Sequence, residues 1–552
     1  SDTFENNSIN RMKKKYFFAF VIATLCNFTW ASCQITTDNR TQSDETGETP
    51  KSKIPSQRDI QRFISNGWVC YGDFGAKGDG ITNDIMAIAI THEFANKHHL
   101  TVKADDKAIY YIGGEKCTVS IQTNTEFGKA AFIIDDTDVE DRNAHVFSVN
   151  SIKQSFKPKN ITSLKKDQDK LDITLPGASL VTVTDSNVKR YIRFGANQNN
   201  GSSQTDIFIV DKNGTVDKNT PIIWDFERIT EITILPVDET MLTISGGKFT
   251  TIANREESKY SYFARGIAIK RSNVIVDGLE HRITGEEDHG APYGGFISIS
   301  NCSNVTVRNT FLTGHKVYRT VGSAGIPVSM GSYDININRA LNITFENCSQ
   351  TNDINNVEYW GIMGSNYCKN IVYDHCTFSR FDAHMGVANA TIRHSTLGHQ
   401  GINAIGSGIF TVENSTINAT NLINLRSDYG STWEGEFFIR NCVFVPRGVK
   451  SGNINLIGGS NNSQHDFGYT CYMPERITIE NLQIDDSSYP EKYQGPAIFA
   501  NFNKEMTDET YLEKVPFIKT KKVILTNVST ASGLPLRISD NAYMFKDVII
   551  VK

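Results

Sequence analysis

An all-β solenoid is the fold that this chain of 552 residues predicts, on three observations. The first is a motif that recurs between residues 273 and 527, a short strand of alternating, largely β-branched residues closed by Asn, Gly or His. Its copies include Asn304-Val-Thr-Val-Arg-Asn309, Asn342-Ile-Thr-Phe-Glu-Asn347, Arg476-Ile-Thr-Ile-Glu-Asn481 and Lys522-Val-Ile-Leu-Thr-Asn527. Closing residues fall at Gly278, Asn309, Asn347, His375, His394, Asn414, Asn441, Asn481 and Asn527, between 19 and 46 residues apart. The short steps fit one turn of a coil, and the long ones carry loops out of it. The second observation is the residue after the closing position, which is Cys348, Cys376, Ser395, Ser415 or Cys442, small and stackable. Composition is the third: 41 Gly, 14 Pro, abundant Asn and Thr, and only short apolar runs.

The closing residue has a physical reason. A tight corner between strands needs a left-handed backbone, which Gly, Asn and sometimes His tolerate. Stacked Asn side chains also hydrogen-bond to one another along the axis. His375 and His394 occupy this position and are assigned as structural. The whole pattern resembles the right-handed parallel β-helix of the pectate-lyase superfamily. One long solenoid accounts for the length without a second catalytic domain. A net charge of −5 with mixed signs gives no support for nucleic-acid binding.

From its start the chain divides as follows. Residues 1–33 hold an upstream extension, Lys13-Lys14-Lys15, an apolar run from Tyr16 to Leu25 and Trp30-Ala31-Ser32-Cys33, the order of a secretory signal peptide. The run is too short to span a membrane. Cys33 is either a lipidated cysteine that anchors the protein at an outer membrane or a residue near an ordinary cleavage site. Either way the protein leaves the cytoplasm, to be secreted, periplasmic or outer-membrane-anchored. Residues 34–58 are polar and read as a disordered tether. The ten cysteines form no CxxC pair and no zinc spacing, and are read as buried thiols. Residues 59–250 are read as an N-terminal cap and early coils with an inserted β region in which no reactive spacing occurs. Residues 251–552 are read as the parallel β-helix carrying the site, and the protein is read as a monomer.

Near the start, Tyr71-Gly-Asp-Phe-Gly-Ala-Lys-Gly-Asp-Gly-Ile-Thr-Asn-Asp84 precedes a helical pattern from Ile85 to Ala95. It resembles the entry segment of β-helix pectinases, polygalacturonases and phage tailspikes, with Asp84 in the cap region and the helix plugging the coil. Residues 358–436 resemble the polygalacturonase family, whose Asn-Thr-Asp, Asp-Asp, Gly-His-Gly and Arg-Ile-Lys motifs follow one another beyond successive strands. The matching places hold Glu358-Tyr359-Trp360, Asp382-Ala383-His384, Gly398-His399-Gln400-Gly401 and Arg426-Ser427-Asp428. Ala383 replaces the second Asp of the pair, and Asp428 replaces the Lys.

Those departures turn a carboxylate set into a base-and-cation set of Tyr359, Asp382, His384, His399 and Arg426, which suits β-elimination on a uronic-acid sugar. The proton beside the sugar carboxylate leaves only if a base is near and the carboxylate charge is offset. His384 or His399 is the candidate base, Tyr359 the candidate acid and Arg426 the carboxylate binder. Asp382 orients a histidine or holds Ca²⁺, the one cofactor considered, with no other metal ligand assigned. Glu358 and Asp428 are placed at the substrate, Tyr429 and Trp433 as stacking platforms, and His315, Lys316 and Arg319 as a basic edge of the cleft. Three readings stand: a lyase acting on a pectic or glycosaminoglycan type of acidic polysaccharide, a polygalacturonase-like hydrolase using Glu358, Asp382 and Asp428, and a carbohydrate-binding scaffold without turnover.

Overall fold

The computed structural model describes residues 53–257, 262–287, 290–448, 452–489 and 492–552. The signal-type segment, Cys33 and residues 34–52 of the tether lie outside these. The repeat does what its corners require. Asn309, Asn347, His375, His394, Asn414, Asn441, Asn481 and Asn527 all have φ between 48° and 53°. Asn side chains of the ladder donate back to the preceding coil, as in Asn347 Nδ2 to Asn309 Oδ1 at 2.7 Å and Asn527 Nδ2 to Asn481 Oδ1 at 2.8 Å. His375 and His394 continue the ladder by ring stacking, with centroids 4.7 Å apart. A second left-handed Asn position, at Asn273, Asn304, Asn342 and Asn370, brackets the other end of the strand.

Between the two corners the register is parallel and unbroken. Val274 pairs with Val305, then Ile343, Ile371, Ala390, Phe410, Phe437, Ile477 and Val523, one inward residue per coil. All are buried. Cys348, Cys376 and Cys442 are buried free thiols whose Sγ atoms point at carbonyls of the preceding coil. The molecule is a right-handed parallel β-helix, the hand that parallel crossovers overwhelmingly adopt.

Two helices close the N-terminal end. Helix α2, Ile85–His98, buries Ile85, Ile88, Thr91 and Phe94 against the first coils. Asp84 stands at its N-cap, but the carboxylate turns back to accept from the amides of Lys77 and Gly78 at 2.7 and 2.9 Å, so it fastens the glycine turn instead of the helix. Helix α1, Gln57–Asn66, starts within the stretch read as tether, because Ser56 and Asp59 form a capping box that the polar composition hid. Among the described residues no helix is long and apolar enough to cross a membrane.

The inserted region is a three-stranded antiparallel sheet of Ser179–Arg190, Ser202–Val210 and Glu231–Pro236. It has its own core, in which Val181, Phe208, Phe226 and Ile234 are buried. It docks on the coil through Leu180 and Ile207 against Leu341 and through a Lys369 to Asp206 ion pair at 2.7 Å, both side chains 2% exposed. This docking determines which of the coil's side chains remain reachable.

Candidate active site

Strand register assembles the site. Asp382 lies beside Asn403 one coil on, and Asn403 beside Asn424 on the next, so Arg426, just past the strand Asn421–Leu425, can reach back to Asp382. Arg426 Nη1 donates to both Asp382 oxygens at 2.8 and 2.9 Å. Its Nε and Nη2 donate to Asp428 at 3.1 and 2.7 Å. Arg380 Nη2 donates to Asp382 at 2.8 Å, and Arg193 Nη2 to Asp428 at 2.7 Å. The result is a chain, Arg380–Asp382–Arg426–Asp428–Arg193, with three cations, two anions and a net charge of +1.

Burial would raise both carboxyls, but the guanidinium groups prevail. Asp382 is held below the ordinary carboxylate range by Arg380 and Arg426. Asp428 is brought down to about 2 by Arg426 and Arg193. Neither is a proton donor near neutral pH. Asp382 is fully buried with both oxygens engaged, so it neither orients a histidine nor presents oxygens to Ca²⁺. Arg426 likewise spends its donors on protein carboxylates, which corrects its assignment as the binder of the substrate carboxylate. Among the described residues no group of three His, Cys, Asp or Glu could hold a metal ion.

The two candidate bases differ. His384 Nδ1 donates to Asn366 Oδ1 at 2.8 Å, and its ring meets Tyr429 edge-on at 5.3 Å. Burial and then Arg426 push its pKa down to about 3. His399 Nε2 donates to the Tyr359 carbonyl at 2.7 Å, which leaves Nδ1 unprotonated in a half-exposed ring. Burial lowers its pKa as well. Tyr359 is half-buried, Glu358 exposed, and the Trp360 indole lies 4.7 Å from the Arg380 guanidinium. Arg380 thus joins the His399–Tyr359 end of the face to the Arg426–Asp428 end.

Several predicted residues stand elsewhere than expected. Trp433 is wholly buried, donating Nε1 to the Gly408 carbonyl, and Tyr429 is 2% exposed. Neither ring can lie against a sugar, because both are core of the coil on which the insert docks. Phe194, 56% exposed, is the ring that the face does offer. His315 is no basic edge either. It is fully buried, donating Nδ1 to Glu286 at 2.8 Å and Nε2 to Asp334 at 3.0 Å. Both partners are acceptors, so the ring is an imidazolium. Lys316 pairs with Tyr359 across the short antiparallel ladder His315–Lys316 with Tyr359–Gly361, and Arg319 is exposed on the hairpin Tyr318–Met330.

That buried ion network makes a stability prediction. Burial pulls His315 down, yet Glu286 and Asp334 outweigh it and raise the pKa to about 10, above the ordinary value of 6.5. The folded state then binds the extra proton between those values. Its stabilisation is complete below pH 6.5 and disappears as pH rises through about 10. In chemical denaturation across this window, the stability gap between the native chain and His315→Gln is expected to shrink as pH increases. A gap independent of pH would contradict the imidazolium assignment.

Arg193 and Arg380 were missed by sequence reasoning. Arg193 belongs to the arm 191–201 between two strands of the insert, and only the fold brings it to Asp428. The arm crosses the face: Ile192 N donates to the Phe467 carbonyl, Phe194 N to that of Asp428, and Ala324 N to that of Ala196. A cavity of about 420 Å³ lies beside it, lined by Arg193, Phe194, Asn197, Asp428, Asn461 and His465. The run Arg190-Tyr191-Ile192-Arg193-Phe194 was the signal available for the arm. Arg380 was legible from its place two residues before Asp382 on a strand, hence on the same face.

No protein-family model matches the chain. A depolymerase specific for capsule KL64, from Klebsiella phage P510, is 30% identical over an alignment of 129 residues that covers 21% of this chain and 12% of that protein. The matched stretch is therefore a small part of that relative. Among solved structures, the Pseudomonas phage phi297 tailspike gp61 aligns at 12% identity and a TM-score of 0.46, over 84% of this chain and 80% of that one. The gp54 tailspike of Acinetobacter baumannii bacteriophage AP22 aligns at 11% identity and 0.46, over 80% and 72%. The polygalacturonase from Erwinia carotovora aligns at 12% identity and 0.36, over 94% and 100%.

Proposed function

We propose that this chain acts on an extracellular acidic polysaccharide and cleaves it by β-elimination at the face between Tyr359 and Asp428. The relative that is a capsule depolymerase supports a polysaccharide as the class of substrate. The observation that carries the reaction type is the state of the carboxylates. Glycoside hydrolysis needs a carboxylic acid that is protonated near neutral pH. Asp382 and Asp428 are both held ionised by arginines and Glu358 is solvent-exposed, while His399 presents an unprotonated Nδ1.

In this reading Arg193, at the cavity and with a net positive cluster behind it, offsets the carboxylate of the bound uronate. That offset acidifies the neighbouring C–H bond. His399 Nδ1 takes the proton, the electron pair becomes a C=C bond, and the C–O bond to the next sugar breaks. Tyr359 gives its proton to the leaving oxygen. His384 is a poorer base, since a group titrating at about 3 has little driving force toward so weak an acid. Its ring packs edge-on against Tyr429.

Ultraviolet absorbance of an unsaturated uronate tests the proposal over pectic, alginate, glycosaminoglycan and capsular polymers. A rise on one polymer is expected. New reducing ends without absorbance would replace elimination by hydrolysis, and binding without either product would leave a scaffold.

A further inference from the structure

A second cavity, of about 290 Å³, lies between the inserted sheet and the coil. Trp224 and Asp225 enter it from the insert, Tyr367, Ala388, Ser407 and Glu434 from successive coils, and Tyr472 from beyond them. Trp224, Tyr367 and Tyr472 line the space and are half-buried.

Its electrostatics differ from those of the catalytic face. The lining holds three cations, Lys166, Arg190 and Lys369, and three anions, Asp206, Asp225 and Glu434. Lys369 is paired with Asp206 at 2.7 Å and Lys166 with Glu434 at 2.8 Å across the rim. Arg190 lies over Trp224 at 4.5 Å and donates Nε to Gln204. With a net charge of zero and two of its three cations closed in ion pairs within the lining, the cavity has no net field that draws a carboxylate. It does have aromatic faces and a few polar rim groups, the combination that holds an uncharged sugar by its C–H face and orients its hydroxyls.

The two sites adjoin. The Tyr191 ring touches Tyr429 of the catalytic face at 5.7 Å, and Tyr367 and Tyr469 of this cavity at 5.6 and 5.2 Å. We infer that the cavity is a subsite for an uncharged sugar residue, seated on Trp224, so that the polymer recognised carries neutral as well as acidic residues. The inference rests on the proposed polysaccharide function and deepens it. The volume, at the low end of ligand pockets, fits one or two rings.

Saturation-transfer NMR on the full chain tests it, with glucose, galactose and N-acetylglucosamine as neutral probes and glucuronate and galacturonate as charged ones. At least one neutral sugar is expected to bind and to lose about tenfold in affinity in Trp224→Ala, a loss partly restored in Trp224→Phe. Because Trp224 also packs on the insert's core, Ser407→Phe provides an independent block from the coil side and is expected to abolish the same signal. Neutral sugars that bind neither protein, or that bind Ser407→Phe as well as the native chain, overturn the inference. Polymer turnover by the unaltered chain reports separately on the proposed function.

Discussion

Asp382→Ala is expected to destabilise the protein by about 3–5 kcal/mol, the cost of removing one partner from a buried ion network. Asp382 is fully buried, and its loss strands Arg380, 4% exposed, beside Arg426 with no anion between them. Two guanidinium groups in one poorly solvated site repel each other, and Arg380 cannot reach bulk water without opening the coil. Arg426 retains Asp428, so the damage concentrates at Arg380, whose Nε and Nη1 already lack protein partners. Replacing Arg380 as well, in Asp382→Ala/Arg380→Met, is expected to cost less than the sum of the two single changes, because the second removes the charge that the first left unpaired. Urea denaturation of the four proteins measures the coupling. If Asp382→Asn instead kept full stability while losing all turnover, Asp382 would be a chemical participant and the structural assignment would fail.

The second large effect is at His399. His399→Ala is expected to reduce kcat by about 10²–10⁴, the usual share of a positioned general base, with the fold intact. The ring is half-exposed and its Nε2 donates to the Tyr359 carbonyl, so little packing is lost with it. The pH dependence has a definite sign. Burial disfavours the imidazolium and lowers the pKa below 6.5, so the base form is already populated at neutral pH. The rate should climb with pH on the acid side of 6.5 and be level through neutrality. His384→Ala, by contrast, should leave that acid limb in place. An unchanged acid limb in His399→Ala would move the base elsewhere.

How much of this was legible in the sequence follows from which interactions are local. Corner residues such as Asn347 and His394 were readable because a left-handed turn restricts residue type within a few positions. The strand skeleton around Asp382, His399 and Arg426 was readable because one coil repeats the register of the last. Burial of Trp433, Tyr429 and His315 was not. All three read as loop residues, but Trp433 packs on Phe410 and Phe437 of the coil, Tyr429 lies against Tyr191 and Arg193 of the insert, and His315 is held between the carboxylates of Glu286 and Asp334. Arg193 shows the same limit from the other side. It reaches Asp428 across 235 residues of chain, and no periodicity connects the two. The departures from the polygalacturonase pattern were visible as identities, but their consequence was not. Only the geometry pairs Asp428 with two arginines and holds it ionised.

The most direct test of the central claim is the mass of the product ends formed on whichever polymer the chain cleaves. Elimination by His399 and Tyr359 predicts a new non-reducing end that is an unsaturated uronate, lighter by one water than the hydrolytic product, and absent in His399→Ala. A saturated uronate at that end would mean that water had attacked the glycosidic bond, and the base-and-cation account of this site would be wrong.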